Sequence, residues 1–447
     1  MGESIVSIAA PEWGNDPRRI LAETPMGWRQ IIGIVLCTLL NALDGFDVLS
    51  ISFASPGIAA EWHVDRKVLG YVLSMEIFGM AAGSILLGRM TDRLGRIPTM
   101  VICLVIMAAG MIAAPMANDV TTLAGIRLFT GLGIGGMLAA TNAVAAEYAN
   151  NRWRSAAVAL MAAGYPLGAV VGGTIASQML KTGGWRDVFY LGAGLALILL
   201  PLVPLLMPEP IGSILQRRPA DALAKVNRAL KAFGHDTVTA LPAAEAEKPH
   251  ARLADLFSPE LRSVSLLLLL AYFAHILTFY FVVKWVPKIV VDMGFPASAA
   301  GGVLVWANVG GLIGAILFSL SALRLPLRPA LIVMMLASVV LVAMFGQSPA
   351  DLHRLSLAAA MAAFCTNSVI VGFYALIAQS FPTGLRGTGT GFVIGVGRLG
   401  AAAGPIIAGY LFEAKLGLST VAVVMALGSL LAAGALFIMP HREQQGH

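Results

Sequence analysis

The chain has 447 residues, of which 58% are hydrophobic and only 12% charged, and its mean hydropathy is +0.81. A water-soluble domain carries about 25% charged residues, so a solvated surface along the whole chain is excluded. The 30 Lys and Arg against 24 Asp and Glu fall mostly between apolar runs, which points to membrane topology rather than nucleic-acid binding.

Apolar runs recur at the roughly 20-residue length that a bilayer demands. Only helices and closed barrels satisfy their backbone polar groups in lipid. These runs are continuous and rich in Leu, Ala and Gly rather than alternating, so they are read as helices. The expected fold is an all-α membrane protein of twelve transmembrane helices in two six-helix halves. After a tail at 1–29, the N-terminal half (30–207) has spans at 30–53, 67–90, 97–117, 120–146, 153–180 and 185–207. A polar central loop follows at 208–260. It carries Gln216-Arg217-Arg218 and Glu245-Ala246-Glu247-Lys248, with an amphipathic stretch near Ala220–Phe233 expected at the membrane surface. The C-terminal half (261–440) has spans at 261–285, 296–322, 328–346, 353–377, 386–411 and 417–439, before a tail at 441–447. The first apolar run starts near Gln30 and is too long for a signal sequence, so no cleavable leader is expected. Cys37, Cys103 and Cys365 all fall inside spans. They indicate neither a disulfide framework nor a metal site, and no cofactor is expected.

Placing the N-terminus in the cytoplasm puts 20 of the 30 basic residues on that side and 8 on the other, with Arg127 and Arg398 inside the membrane. The positive-inside rule therefore predicts both termini in the cytoplasm, in an inner membrane. The halves also resemble each other. A shift of 232 residues lays Arg154 on Arg386, Glu147 on Gln379 and Gly168–Gly172 on Gly400–Gly404. Parallel repeats of this kind place a substrate site at the interface between halves.

The loop between the second and third spans reads Gly88-Arg89-Met90-Thr91-Asp92-Arg93-Leu94-Gly95-Arg96. It resembles the G-x-x-x-D-R-x-G-R signature of the major facilitator superfamily, at the place where that family carries it. Its charges can bond neighbouring helix ends and its glycines permit a tight turn, which suits a latch that closes and releases. A plain positive-inside anchor would need the arginines alone. Glu147, Arg154 and Arg386, which recur at matched places in the halves, are added to this gating set. The equivalent loop, Arg324-Leu325-Pro326-Leu327-Arg328, keeps two arginines and lacks the rest.

In the first span, Asn41-Ala42-Leu43-Asp44-Gly45-Phe46-Asp47 resembles the Asp-Gly-x-Asp of the aromatic acid–proton symporters within that superfamily. Supporting stretches are Gly131-Leu132-Gly133-Ile134-Gly135-Gly136, Gly164-Tyr165-Pro166-Leu167-Gly168, Trp185-Arg186, Trp285-Val286-Pro287, Phe381 to Gly389, and Gly397-Arg398-Leu399-Gly400. The likeness runs over essentially the whole chain. It implies proton-driven uptake of aromatic carboxylates such as benzoates and hydroxybenzoates. Departures are Ala139-Ala140 where many members have Pro-Asn, and the ionisable Glu76 and His275 in mid-span.

The residues themselves give a chemistry. Asp44 lies near mid-bilayer at ~1.5 Å per residue, and Asp47 shares its helix face. Ionisable groups in a span are expensive and face a cavity or a partner. Two carboxylates this close do not both ionise easily, which suits proton coupling; the alternative is a structural pair held by Arg and Asn neighbours. Glu76 is either a second proton site or a neutral hydrogen-bonding group. Arg398 is expected to bind the substrate carboxylate, with an internal counter-ion as the other reading. Arg127 is expected to pair with the first span or, failing that, to bind substrate. His275 is either a titrating substrate-site residue or a hydrogen-bonded neutral one. Asn308 and Asn367 are candidate polar contacts. Phe46, Tyr165, Tyr272, Phe279, Tyr280, Trp306 and Tyr374 could stack on a ring or merely pack.

The expected function is a monomeric proton-coupled symporter importing a small organic acid, with protons and lipid as its other partners and no nucleic acid. The alternative is a proton-coupled exporter. Exporters of this superfamily carry Gly-Pro within the fifth-span glycine motif, whereas Pro166 precedes Gly168 here. An enzyme is not expected, because seven scattered histidines offer neither a clustered metal set nor a nucleophile with its base.

Overall fold

The computed structural model describes residues 16–243 and 253–440, apart from Leu323, Thr383 and the side chain of Asp92. The Glu245–Lys248 run and the tail beyond Pro440 lie outside the described residues. The helices are α1 (Pro17–Glu23), α2 (Trp28–Trp62), α3 (Arg66–Leu94), α4 (Arg96–Ala113), α5 (Val120–Tyr148), α6 (Arg154–Met179), α7 (Trp185–Leu206), α8 (Ile211–Arg217), α9 (Ala222–Phe233), α10 (Arg262–Asp292), α11 (Ala297–Ser321), α12 (Leu327–Gly346), α13 (Leu352–Ser380), α14 (Arg386–Glu413) and α15 (Leu418–Ile438). Among the described residues, twelve helices are long and apolar enough to cross a membrane: α2 to α7 and α10 to α15. The protein is a multi-pass membrane protein.

Caps set where several spans begin. Asp65, Asp119 and Asp351 accept from the third backbone N–H beyond them, at 2.8 Å each, and so open α3, α5 and α13. Asp119 and Asp351 are related by the same 232-residue shift as the glycines. Those glycines do equivalent work. A Cβ on Gly168 of α6 would collide with the Ala42 carbonyl of α2, and one on Gly400 of α14 with the Phe273 carbonyl of α10. Small residues let these pairs approach backbone to backbone, as membrane helices require.

Two spans exceed their predicted ends. The first helix runs to Trp62 rather than 53, and the seventh to Asp292 rather than 285, with Pro287 inside it. The amphipathic α9 does not present its apolar stripe to lipid. Val226, Leu230 and Phe233 are buried against the N-terminal half, and Phe233 meets Tyr148 edge to face at 5.0 Å.

The end of the bundle that carries α8 and α9 is termed proximal, the opposite end distal. One apolar core at the distal end is shared, with Phe53 and Leu73 packed among Val303, Leu304 and Phe412. Toward the proximal end the cores separate, one within the N-terminal half and one within the C-terminal half that takes in only Ile77 and Phe78 of α3. The pair α3–α14 carries the same gradient. Distally, Ser74 Oγ donates to Ala402 O at 2.7 Å and the Tyr71 and Tyr410 hydroxyls are 2.8 Å apart, while Arg66 of α3 pairs with Asp292 of α10 at 2.9 Å. Proximally, a Cβ on Gly88 of α3, or on Gly387, Gly391 or Gly395 of α14, would meet open space. The halves are closed on each other distally and parted proximally.

Candidate functional site

The charged centre lies in the N-terminal half, where α2, α3 and α5 meet. Asp44 and Asp47 of α2, Glu76 of α3 and Arg127 of α5 are all buried. Gly45 makes the α2 motif possible, because a Cβ there would collide with the Tyr165 carbonyl of α6. Arg127 Nη2 lies 2.9 Å from Asp47 Oδ1, 3.0 Å from Asp47 O and 2.5 Å from Glu76 Oε1. Its guanidinium also stands 5.4 Å from the Phe189 ring centre. Arg127 is thus committed to two carboxylates, as an internal counter-ion and not as a free anion site.

A further cation joins this centre, a lysine that falls at the very end of the predicted seventh span and is one of the eight basic residues counted on the non-cytoplasmic side. Lys284 lies two turns inside α10 and is fully buried. Its Nζ donates to the Val48 carbonyl of α2 and stands 3.7 Å from Glu76 Oε2. Reading Trp285-Val286-Pro287 as the end of a span hid it. The signal available in the sequence was the apolar stretch Ile289-Val290-Val291, which continues the helix past the proline.

Three carboxylates therefore face two cations. Asp47 is paired with Arg127, and Glu76 lies between Arg127 and Lys284. Asp44 differs from both. It is 2% exposed, and among the described residues neither oxygen has a hydrogen-bond partner or a cation within ion-pair distance. Asn41 Oδ1, one helical turn away, is also unpartnered, while its amide donates to Met161 O at 2.8 Å. A buried ionised carboxylate without partners is strongly unfavourable, which sets Asp44 apart from the two paired acids. One proton there makes the five groups electrically neutral.

The other predicted residues divide. Asn308 and Asn367 line a cavity of about 60 Å³ at the interface, with Tyr165, Pro166, Phe279 and Val283. A single water needs roughly 10–15 Å³ and a benzene-binding cavity is about 150 Å³. The space admits a few waters, and a ring enters only if the halves move. Asn308 Nδ2 donates to Leu304 O and Asn367 Nδ2 to Gly311 O, both at 2.9 Å, which fixes the two amides on the cavity wall. Arg398 of α14 is half-buried and has no carboxylate partner among the described residues. It lies within electrostatic range of Tyr272 and Tyr280.

His275 is a correction. The ring is fully buried inside the C-terminal half, with Nδ1 3.0 Å from Ser429 Oγ and Nε2 2.9 Å from Thr366 O. A carbonyl can only accept, so Nε2 carries the hydrogen and Nδ1 accepts from the serine. Both nitrogens are engaged in packing α10 against α13 and α15, and none is left for substrate. Trp306 is likewise outside the site, being 56% exposed on the flank of α11.

At the proximal end, Arg96 pairs with Glu147, while Glu209 accepts from Arg96 N at 2.8 Å and Ile97 N at 3.0 Å. Glu209 thus caps α4 from a distance, and Arg217 ties down the same carboxylate at 3.2 Å. Gly95 has φ +108°, and a Cβ there would stand 2.6 Å from Glu209 Oε1, so the motif glycine is needed twice over. The side chain of Asp92 lies outside the described residues. Arg93, Arg154 and Arg386 are exposed and are not drawn into the Arg96 cluster in this state. Glu209 was missed in the sequence, where it stands alone among prolines and carries no motif.

Two six-helix halves closed at one end, around buried acids at their interface, define a transporter of the alternating-access kind. The Major Facilitator Superfamily model matches residues 35–354, and the chain belongs to that family. It is a transporter and not an enzyme. The gallate transporter of Pseudomonas putida is 30% identical, covering 93% of both chains. The 3-(3-hydroxy-phenyl)propionate transporter of Escherichia coli is 30% identical over 93% of this chain and 96% of that one. Among solved structures, the inward-open xylose transporter of Escherichia coli superposes with a TM-score of 0.73, at 16% identity, covering 93% of this chain and 98% of the other.

Proposed function

We propose that this chain imports a small aromatic carboxylate together with a proton, as a monomer in the inner membrane with both termini in the cytoplasm. On that orientation the proximal opening faces the cytoplasm. The observation that carries the reading is the charge count of the buried centre, where three carboxylates face two cations and Asp44 is left unpartnered. Such a centre changes its charge by one unit when Asp44 takes or gives a proton, which is the elementary need of a symporter. Arg398, the half-buried cation of the opposite half without a carboxylate partner, supplies a fork for the substrate anion. The cavity beside Asn308 and Asn367 supplies apolar walls for a ring and polar groups for its substituents. The two relatives described above are both named for hydroxylated aromatic acids.

The test is uptake of radiolabelled gallate and 3-(3-hydroxyphenyl)propionate into proteoliposomes, with and without an inward proton gradient. Accumulation above equilibrium that collapses on adding a protonophore is expected. Accumulation indifferent to protonophore and external pH would remove the proton, and no uptake of any aromatic acid would remove the substrate class.

A further inference from the structure

Among the described residues, Lys284 is the one side chain of the C-terminal half that makes an ion pair with the charged centre of the N-terminal half. It completes a continuous chain of charged contacts. Lys284 faces Glu76 at 3.7 Å, Glu76 faces Arg127 at 2.5 Å, and Arg127 holds Asp47 at 2.9 Å. The chain runs from α10 through α3 and α5 to α2, and so crosses the interface between halves on its closed side. Lys284 also donates to the Val48 carbonyl, a second bond across the same interface. These contacts exist only while the halves are closed distally, because Lys284 travels with α10.

We infer that Lys284 is a latch that couples proton binding on the carboxylates to the closed state of the distal face. The inference rests on the alternating-access reading above. When the halves part distally, Lys284 withdraws and three carboxylates are left facing Arg127 alone. The open state then favours an added proton, and by reciprocity an added proton favours the open state. When the halves close, Lys284 returns beside Glu76 and the added proton leaves the carboxylates for water in the proximal opening. Cys103, Tyr165 and Tyr280 complete the titratable groups around the centre, and their ordinary ranges keep them neutral near pH 7. The exchange therefore lies between Lys284 and the carboxylates. A coupling residue in the half opposite the proton seat ties the proton to the movement, which a cluster confined to one half could not do.

The experiment reads the gate and needs no substrate. Thr182 and Glu413 are exposed at distal ends of opposite halves, and the three native cysteines are buried. Spin labels at Thr182→Cys and Glu413→Cys report the distal opening as a distance distribution in the full-length protein. Lys284→Met and Glu76→Gln should each raise the open-to-closed ratio, Lys284→Met by about tenfold or more, the scale of a charge-assisted bond. The double variant should open less than the two effects combined predict, because each single change removes the same contact. Glu76→Gln preserves shape, so it keeps the test alive if Lys284→Met does not fold. Singles that match the parent distribution, or a double variant that is fully additive, would overturn the latch. A gate that behaves as expected in a protein that transports no aromatic acid would leave the latch standing and remove only the substrate reading.

Discussion

The two halves share a scaffold and differ at their centres. The 232-residue shift that relates Gly168 to Gly400 and Asp119 to Asp351 lays Asp44 on Ile276, Asp47 on Phe279, Glu76 on Asn308 and Arg127 on Ala359. Every charged member of the N-terminal cluster thus has a neutral counterpart. The N-terminal half holds four buried ionisable groups, three of them joined in ion pairs; the C-terminal half holds a hydrogen-bonded His275 and one wall of a cavity lined by Phe279, Asn308 and Asn367. Duplicated architecture has been divided by chemistry, with the buried ionisable groups on one side and most of the cavity wall on the other. Lys284 is the exception that crosses over.

That contrast can be broken most forcefully at Asp47. Asp47→Ala leaves Arg127 with one carboxylate instead of two in a fully buried site. Removing one partner of a buried pair costs about 3–5 kcal/mol, so a clear fall in melting temperature in detergent is expected. Asp44→Asn strands no cation and should melt at or above the parent temperature. Equal losses from the two would mean that the acids are not distinguished by their partners.

The next effect in size concerns the C-terminal half. Arg398→Gln should weaken binding of an aromatic carboxylate by roughly tenfold to a hundredfold, the equivalent of about 1.5–3 kcal/mol for a charge-assisted bond. Arg398→Lys should lose part of that, since it keeps charge without the fork. The neutral amide analogue should bind parent and Gln variant alike, as measured by calorimetry. A Gln variant that still discriminates acid from amide would make Arg398 an internal counter-ion.

The smallest effect sharpens the comparison. His275→Ala removes two buried contacts within the C-terminal half and should cost about 1–3 kcal/mol of stability. The pH dependence of uptake should be unchanged at permissive temperature. A shift in that profile would return the histidine to the proton pathway.

The spans, the two halves and the carboxylates of α2 were legible in the sequence because each rests on local rules: hydropathy, repeat spacing and an ionisable group in an apolar helix. Partners were not legible. Nothing in the α2 sequence says that Asp47 receives Arg127 while Asp44 receives nothing, because that is fixed by where α5 crosses α2. Lys284 was hidden for a related reason. Pro287 reads as a helix end, yet α10 continues to Asp292 and carries the lysine into the interface. His275 drew attention as a titratable group in a span, and its engagement in helix packing follows only from the Thr366 carbonyl and Ser429 hydroxyl that α13 and α15 bring to it.

The central claim is that Asp44 carries the coupled proton. The most direct measurement compares the parent and Asp44→Asn in proteoliposomes, by gradient-driven accumulation of an aromatic carboxylate and by equilibrium exchange of the same compound without a gradient. The Asn variant, fixed in the neutral form, is expected to retain exchange and to lose accumulation above equilibrium. An Asn variant that accumulates substrate like the parent would contradict the account.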